Sequence, residues 1–102
     1  MTKKTIVTKV TSAGILNWAV ITSEGSAGIK VYTMVGDDNT KEVEVETESD
    51  GSLNFGFIVN AFPATLWKLT LTEKGKKDAR YEREGVTDSQ YTGRDGGKVS
   101  FA

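Results

Sequence analysis

The residues of this sequence that could do chemistry are carboxylates. Glu42, Glu44, Glu46 and Glu48 recur at every second position, and Glu82 and Glu84 repeat that spacing around Arg83. Alternation places each set on one face of a strand. Paired carboxylates are the machinery of glycoside hydrolysis, and oxygen ligands suit calcium. Same-face neighbours on a flat strand, however, lie about 6.5–7 Å apart, too far to close around one ion without a loop. The glutamate ridge therefore reads as a solvent face whose like charges discourage edge-to-edge pairing, with a docking face for a basic partner as the functional alternative. Around Glu82 and Glu84 nothing predicts the concave apolar pocket that a catalytic pair requires. Asp37, Asp38, Asn39 and Asp50 lack the Asp-x-Asp-x-Asp-Gly spacing of a calcium loop, and turn chemistry accounts for them.

The chain contains no histidine and no cysteine. Ser–His–Asp and Cys–His catalysis, zinc–thiolate sites and disulfides are excluded within it. No enzyme activity and no cofactor are expected. The 13 basic and 14 acidic residues leave a net charge of −1, without the basic excess of a nucleic-acid binder. Lys74, Lys76, Lys77 and Arg80 are answered by Glu73, Asp78, Glu82 and Glu84, the pattern of a solvated turn. Gly93-Arg94-Asp95-Gly96-Gly97 lacks the Lys-Ser/Thr ending and the strand-to-helix setting of a phosphate loop.

Strands must position these groups. Alternation of period two marks Thr5 to Val10, Ile15 to Thr22, Ile29 to Val35, Lys41 to Glu48, Leu53 to Asn60 and Thr65 to Thr72, with Ala79 to Glu84 as a last, more polar strand. Ile15 to Thr22 is apolar on both faces, which predicts a central strand. In Ile29 to Val35, Ile29, Val31, Thr33 and Val35 share one face; Lys30, Tyr32 and Met34 share the other. Val43, Val45 and Thr47 oppose the glutamates. Leu53, Phe55, Phe57 and Val59, then Trp67, Leu69 and Leu71, are expected to point inward. Ser23–Gly28 and Gly36–Asn39 are turns by composition, and Ser49-Asp50-Gly51-Ser52 signals a hairpin. No segment holds a helical stripe over three turns. A chain of 102 residues is of single-domain size. The expectation is an all-β, antiparallel sandwich of six to seven strands over residues 1–85. Residues 86–102 are expected to be a flexible glycine-containing tail.

Asp50-Gly51-Ser52-Leu53-Asn54-Phe55-Gly56-Phe57, then Pro63, then Leu66-Trp67-Lys68-Leu69-Thr70-Leu71-Thr72, resembles the second half of immunoglobulin-like domains in bacterial and phage surface proteins. The likeness covers about a quarter of the chain directly. The chain lacks the paired cysteines of antibody domains and has no tyrosine corner. The resemblance implies an immunoglobulin-like sandwich and a module for attachment, decoration or spacing, such as a capsid decoration or tail-associated domain.

The aromatic residues divide by register. Trp18 and Trp67 lie in the apolar rows of strong strands and read as core, since an indole buries a large area. Tyr32, Phe62 and Tyr91 read as surface aromatics, with Phe62 at the Pro63 corner the foremost anchor. Val99 and Phe101 read as small apolar hooks on the tail, ordering against a partner. The expected partner is another structural protein or copies of the chain itself. The alternatives are a glycan held by surface aromatics such as Tyr32 or Phe62, and a basic protein met by Glu42, Glu44 and Glu46. No run approaches the roughly 20 apolar residues of a membrane span. The start of the chain lacks a signal-peptide pattern, so synthesis in the cytoplasm is expected, with a virion as one destination.

Overall fold

The computed structural model describes residues 2–25, 28–35 and 40–101. Eight strands follow in chain order: β1 (Thr2–Ser12), β2 (Leu16–Gly25), β3 (Gly28–Val35), β4 (Thr40–Thr47), β5 (Ser52–Ala61), β6 (Leu66–Glu73), β7 (Tyr81–Val86) and β8 (Thr92–Ser100). They form two four-stranded antiparallel sheets, β4-β1-β6-β7 (sheet A) and β3-β2-β5-β8 (sheet B). The sheets pack face to face as a sandwich. β1 and β2 lie in opposite sheets, whereas immunoglobulin constant-type domains place the first two strands in one.

Alternation explains the core. Val43 and Val45 of β4, Leu53, Phe55, Phe57 and Val59 of β5, and Trp67, Leu69 and Leu71 of β6 all point inward and are buried. Ile6 and Val10 of β1 and Ala19 and Ile21 of β2 complete the layer. The Trp67 indole packs on Phe57 with ring centroids 5.5 Å apart. It fits because Gly85 and Gly93 lie across from it; a Cβ at either position would overlap the ring. Its Nε1 hydrogen finds no acceptor among the described residues.

Three expectations are corrected here. First, residues 86–102 are not a loose tail: β8 pairs with β5 along nine positions, from Ser52↔Ser100 to Asn60↔Thr92. Val99 and Phe101 are core residues, and the Phe101 N–H donates to Gly51 O at 2.8 Å. They are unavailable as hooks for a partner. The glycines hid this strand by removing the hydrophobic period, although the backbone ladder needs no side chains. Second, Asp50-Gly51 does form a tight turn, with Gly51 at φ 84°, but β4 and β5 diverge into opposite sheets rather than forming a hairpin ladder. Asp50 caps that turn by accepting from Ser52 Oγ at 2.6 Å and Ser52 N at 3.0 Å, and these bonds hold its carboxyl below the usual range. Third, Trp18 lies outside the core. A bulge between Leu16 and Trp18 shifts the register against β5, so Leu16 is buried while Trp18 faces outward.

Tyrosines close both lateral seams. At the β3/β4 seam, Tyr32 packs on the core and its hydroxyl donates to Glu44 O at 2.9 Å. At the β7/β8 seam, Tyr81 stands edge-on to Phe55 and donates to Asp95 Oδ2 at 2.5 Å. Burial, and then the Asp95 carboxylate it bonds, push the Tyr81 hydroxyl up to about 12. No helix among the described residues is long and apolar enough to cross a membrane.

Candidate functional site

The outer face of sheet A carries the expected carboxylates. Register sets Glu46 across from Lys3, Glu44 across from Thr5 and Glu42 across from Val7. Lys3 Nζ lies 3.8 Å from Glu44, and Lys74 Nζ lies 3.0 Å from Glu42. On the other flank, Lys68 sits 3.9 Å from Glu82 and 4.0 Å from Glu84. The face is therefore striped: acid on β4, base on β1 and β6, acid on β7. The ridge is answered within its own face, which blunts it as a docking site for a basic protein. Glu82 and Glu84 are exposed on the edge strand beside Lys68. Among the described residues, no three carboxylate, histidine or cysteine side chains gather around a point that could hold a metal ion. Asp37, Asp38 and Asn39 lie outside the described residues.

The expected aromatic anchors separate. Tyr32 is not a free platform, because it is spent on the β3/β4 seam. Phe62 is 59% exposed, as its place at the Pro63 corner predicted, and it touches Tyr91 with centroids 5.6 Å apart at 51°. Asp88 builds the loop that presents Tyr91. Its carboxylate accepts from Gln90 N at 2.8 Å and Thr92 N at 3.0 Å, and Tyr91 itself is held at φ 67°. Ala64, on the neighbouring corner, has φ 61°. Two non-glycine residues in the left-handed region thus meet at one end of the sandwich, where Thr87 O accepts from Ala64 N and Thr65 O accepts from Thr87 N.

The outer face of sheet B has a different character. Its cross-strand rows are Trp18–Asn60–Thr92, Thr33–Val20–Ile58–Arg94, Val31–Thr22–Gly56–Gly96 and Ile29–Glu24–Asn54–Lys98. Ile29 and Val31 are 68% and 61% exposed, and Trp18 is 37% exposed. Beside these knobs the face is hollow. Gly56 borders depressions of about 270 Å³, reaching Val20, Ile58 and Arg94, and of about 190 Å³, reaching Glu24, Ile29 and Asn54. Glu24, Arg94 and Lys98 make no ion pair among the described residues. The even-odd pattern of β3 was legible in the sequence. That Ile29 and Val31 face water and Tyr32 packs on the core was not, because the sequence puts apolar residues in both rows.

Fold and surface together define an all-β sandwich whose sheet A face is mostly ion-paired and whose sheet B face exposes Ile29, Val31 and Trp18. The chain matches no protein-family model, no curated protein and no solved structure.

Proposed function

We propose that this domain is a non-enzymatic structural or attachment module that docks another protein surface on the outer face of sheet B. The observation that supports this reading is the outward apolar cluster of Trp18 and Val20 on β2 and Ile29 and Val31 on β3, set beside Glu24, Arg94 and Lys98, which make no ion pair among the described residues. Large exposed apolar patches on a folded domain mark interaction sites. Capsid decoration and tail attachment are settings in which such a module works.

The test compares tagged wild-type chain with Val31→Asp in pull-downs from the native source at low and moderate salt. Recovery of the same protein at both salt levels, lost with Val31→Asp and kept with Leu66→Asp, is the expected result. Leu66 is exposed on the opposite sheet. Capture that is indifferent to Val31, or turnover of a substrate that disappears with Glu82→Gln or Glu84→Gln, would sink the proposal. A second reading, glycan binding, rests on the exposed Phe62–Tyr91 pair. Glycan-array binding abolished by Phe62→Ala would favour it, and a blank array would remove it.

A further inference from the structure

The outer face of sheet B is complementary to itself. Its β3–β2 half is bulky, with Ile29, Val31, Trp18 and Val20. Its β5–β8 half carries no side chain at the paired Gly56 and Gly96, and two depressions open at Gly56, one between β2, β5 and β8 and one between β3, β2 and β5. Neither glycine is replaceable without crowding: a Cβ at Gly56 would lie 2.8 Å from Thr22 Oγ1, and one at Gly96 would lie 3.1 Å from Phe55 O. The recess is thus fixed by the fold.

Resting on the docking reading above, we propose that the occupant of this face is a second copy of the same chain, related by a two-fold axis parallel to the strands between β2 and β5. Such an axis keeps each level along the strands and reverses the strand order. It lays β3 over β8 and β2 over β5 of the second copy. Val31 then sits over Gly96, Thr22 over Gly56, and Val20 over Ile58, and each contact occurs twice, as an isologous interface requires. In the row Val31–Thr22–Gly56–Gly96, side chains of each copy meet glycines of the other. The same rotation reverses the row Ile29–Glu24–Asn54–Lys98, so Lys98 of one copy covers Ile29 of the other and its ammonium reaches Glu24. Glu24 and Lys98, which make no ion pair among the described residues, are thereby brought together across the interface. Direct edge-to-edge pairing of two β8 strands centred on Gly96 would instead oppose Arg94 and Lys98, which repel.

Two sheets packed this way stand about 10 Å apart with aligned strands. Four strands at about 4.8 Å and four levels along them give a patch of about 19 by 27 Å, so roughly 1,000 Å² is buried across both copies, the lower limit for a specific interface. An interface at this lower limit corresponds to a weak, reversible dimer.

Sedimentation equilibrium of the full chain at several concentrations tests this, with thermal melts to confirm that each variant folds. The expected result is a monomer–dimer equilibrium weakened at least about tenfold by Val31→Asp, close to 1.4 kcal/mol or more, and untouched by Leu66→Asp. Glu24→Lys and Lys98→Glu should each weaken the dimer, and the double variant should restore it. A wild-type chain that stays monomeric at millimolar concentration overturns the proposal. So does a dimer indifferent to Val31→Asp, or a charge reversal that the double variant fails to rescue. A monomer that still captures a different protein through Val31 would overturn the self-association alone and leave the docking reading in place.

Discussion

The two outer faces of this sandwich are built from the same kind of strand and meet the same solvent, yet they handle it in opposite ways. On sheet A the outward rows are mostly Glu, Lys and Thr, with Leu66 and Val86 exposed at one end, and ion pairs run across the strands from Glu42 and Glu44 on one flank to Glu82 and Glu84 on the other. On sheet B the outward rows mix Ile, Val, Trp and Gly with Thr and Asn, and Glu24, Arg94 and Lys98 make no ion pair among the described residues. A fold needs only its inner rows to be apolar. The outward apolar residues of sheet B therefore contribute little to the monomer, which is why the proposed contact is placed there.

The two tryptophans give the largest expected effect on this comparison. Trp67 is 5% exposed and central to the core, so Trp67→Ala should lower stability by roughly 3–5 kcal/mol in denaturant unfolding. Trp18→Ala, on the outer face, should cost no more than about 1 kcal/mol under the same conditions, within the usual range for a partly exposed site. Equal losses would mean that the outer face of sheet B is part of the core after all.

The seam where the two sheets meet gives an intermediate effect with a pH signature. The Tyr81 hydroxyl is raised to about 12 from 10.0, by burial and by its bond to Asp95. Its folded value exceeds its unfolded one, so the unfolded chain loses this proton first as pH rises. The contribution is complete below pH 10 and is lost as pH climbs from there through about 12. Melting temperature should fall across that window in the wild type, and the fall should be shallower in Tyr81→Phe. Parallel alkaline profiles for the two would remove the Tyr81–Asp95 bond as the source.

The smallest effect is expected on sheet A. Exposed ion pairs contribute about 0–1 kcal/mol each, so Glu42→Gln or Glu44→Gln should shift stability by no more than about 0.5 kcal/mol, and less at high salt. Self-association should not change with either variant. A marked loss of dimer in Glu42→Gln would move the interaction surface to the wrong face.

Much of this arrangement was legible from residue order. The inward rows of β4, β5 and β6 follow from strict alternation, because a strand with one polar and one apolar row has a single way to face a core. Phe62 announced itself by sitting against Pro63, where the chain must turn on the surface. The candidate face did not announce itself. β3 offers apolar residues on both rows, and the Trp18 row reads as core until the bulge at Leu16–Trp18 turns it outward. Tyr32, which looked like a surface aromatic, is held at a seam that exists only once β3 and β4 lie in opposite sheets.

By itself, then, the sequence determined an all-β chain without histidine or cysteine chemistry, because composition and period are local properties. It also determined which rows of β4, β5 and β6 are buried. The tertiary structure alone decided that Thr92–Ser100 is the eighth strand, since β8 is specified by the backbone ladder of β5 and by room for Phe101 in the core, not by its own side chains. It alone decided that β4 and β5 part across Gly51, and that Ile29, Val31 and Trp18 gather on one open face. Those outcomes depend on which strands become neighbours, and neighbours distant in the chain leave no mark on either segment's own pattern.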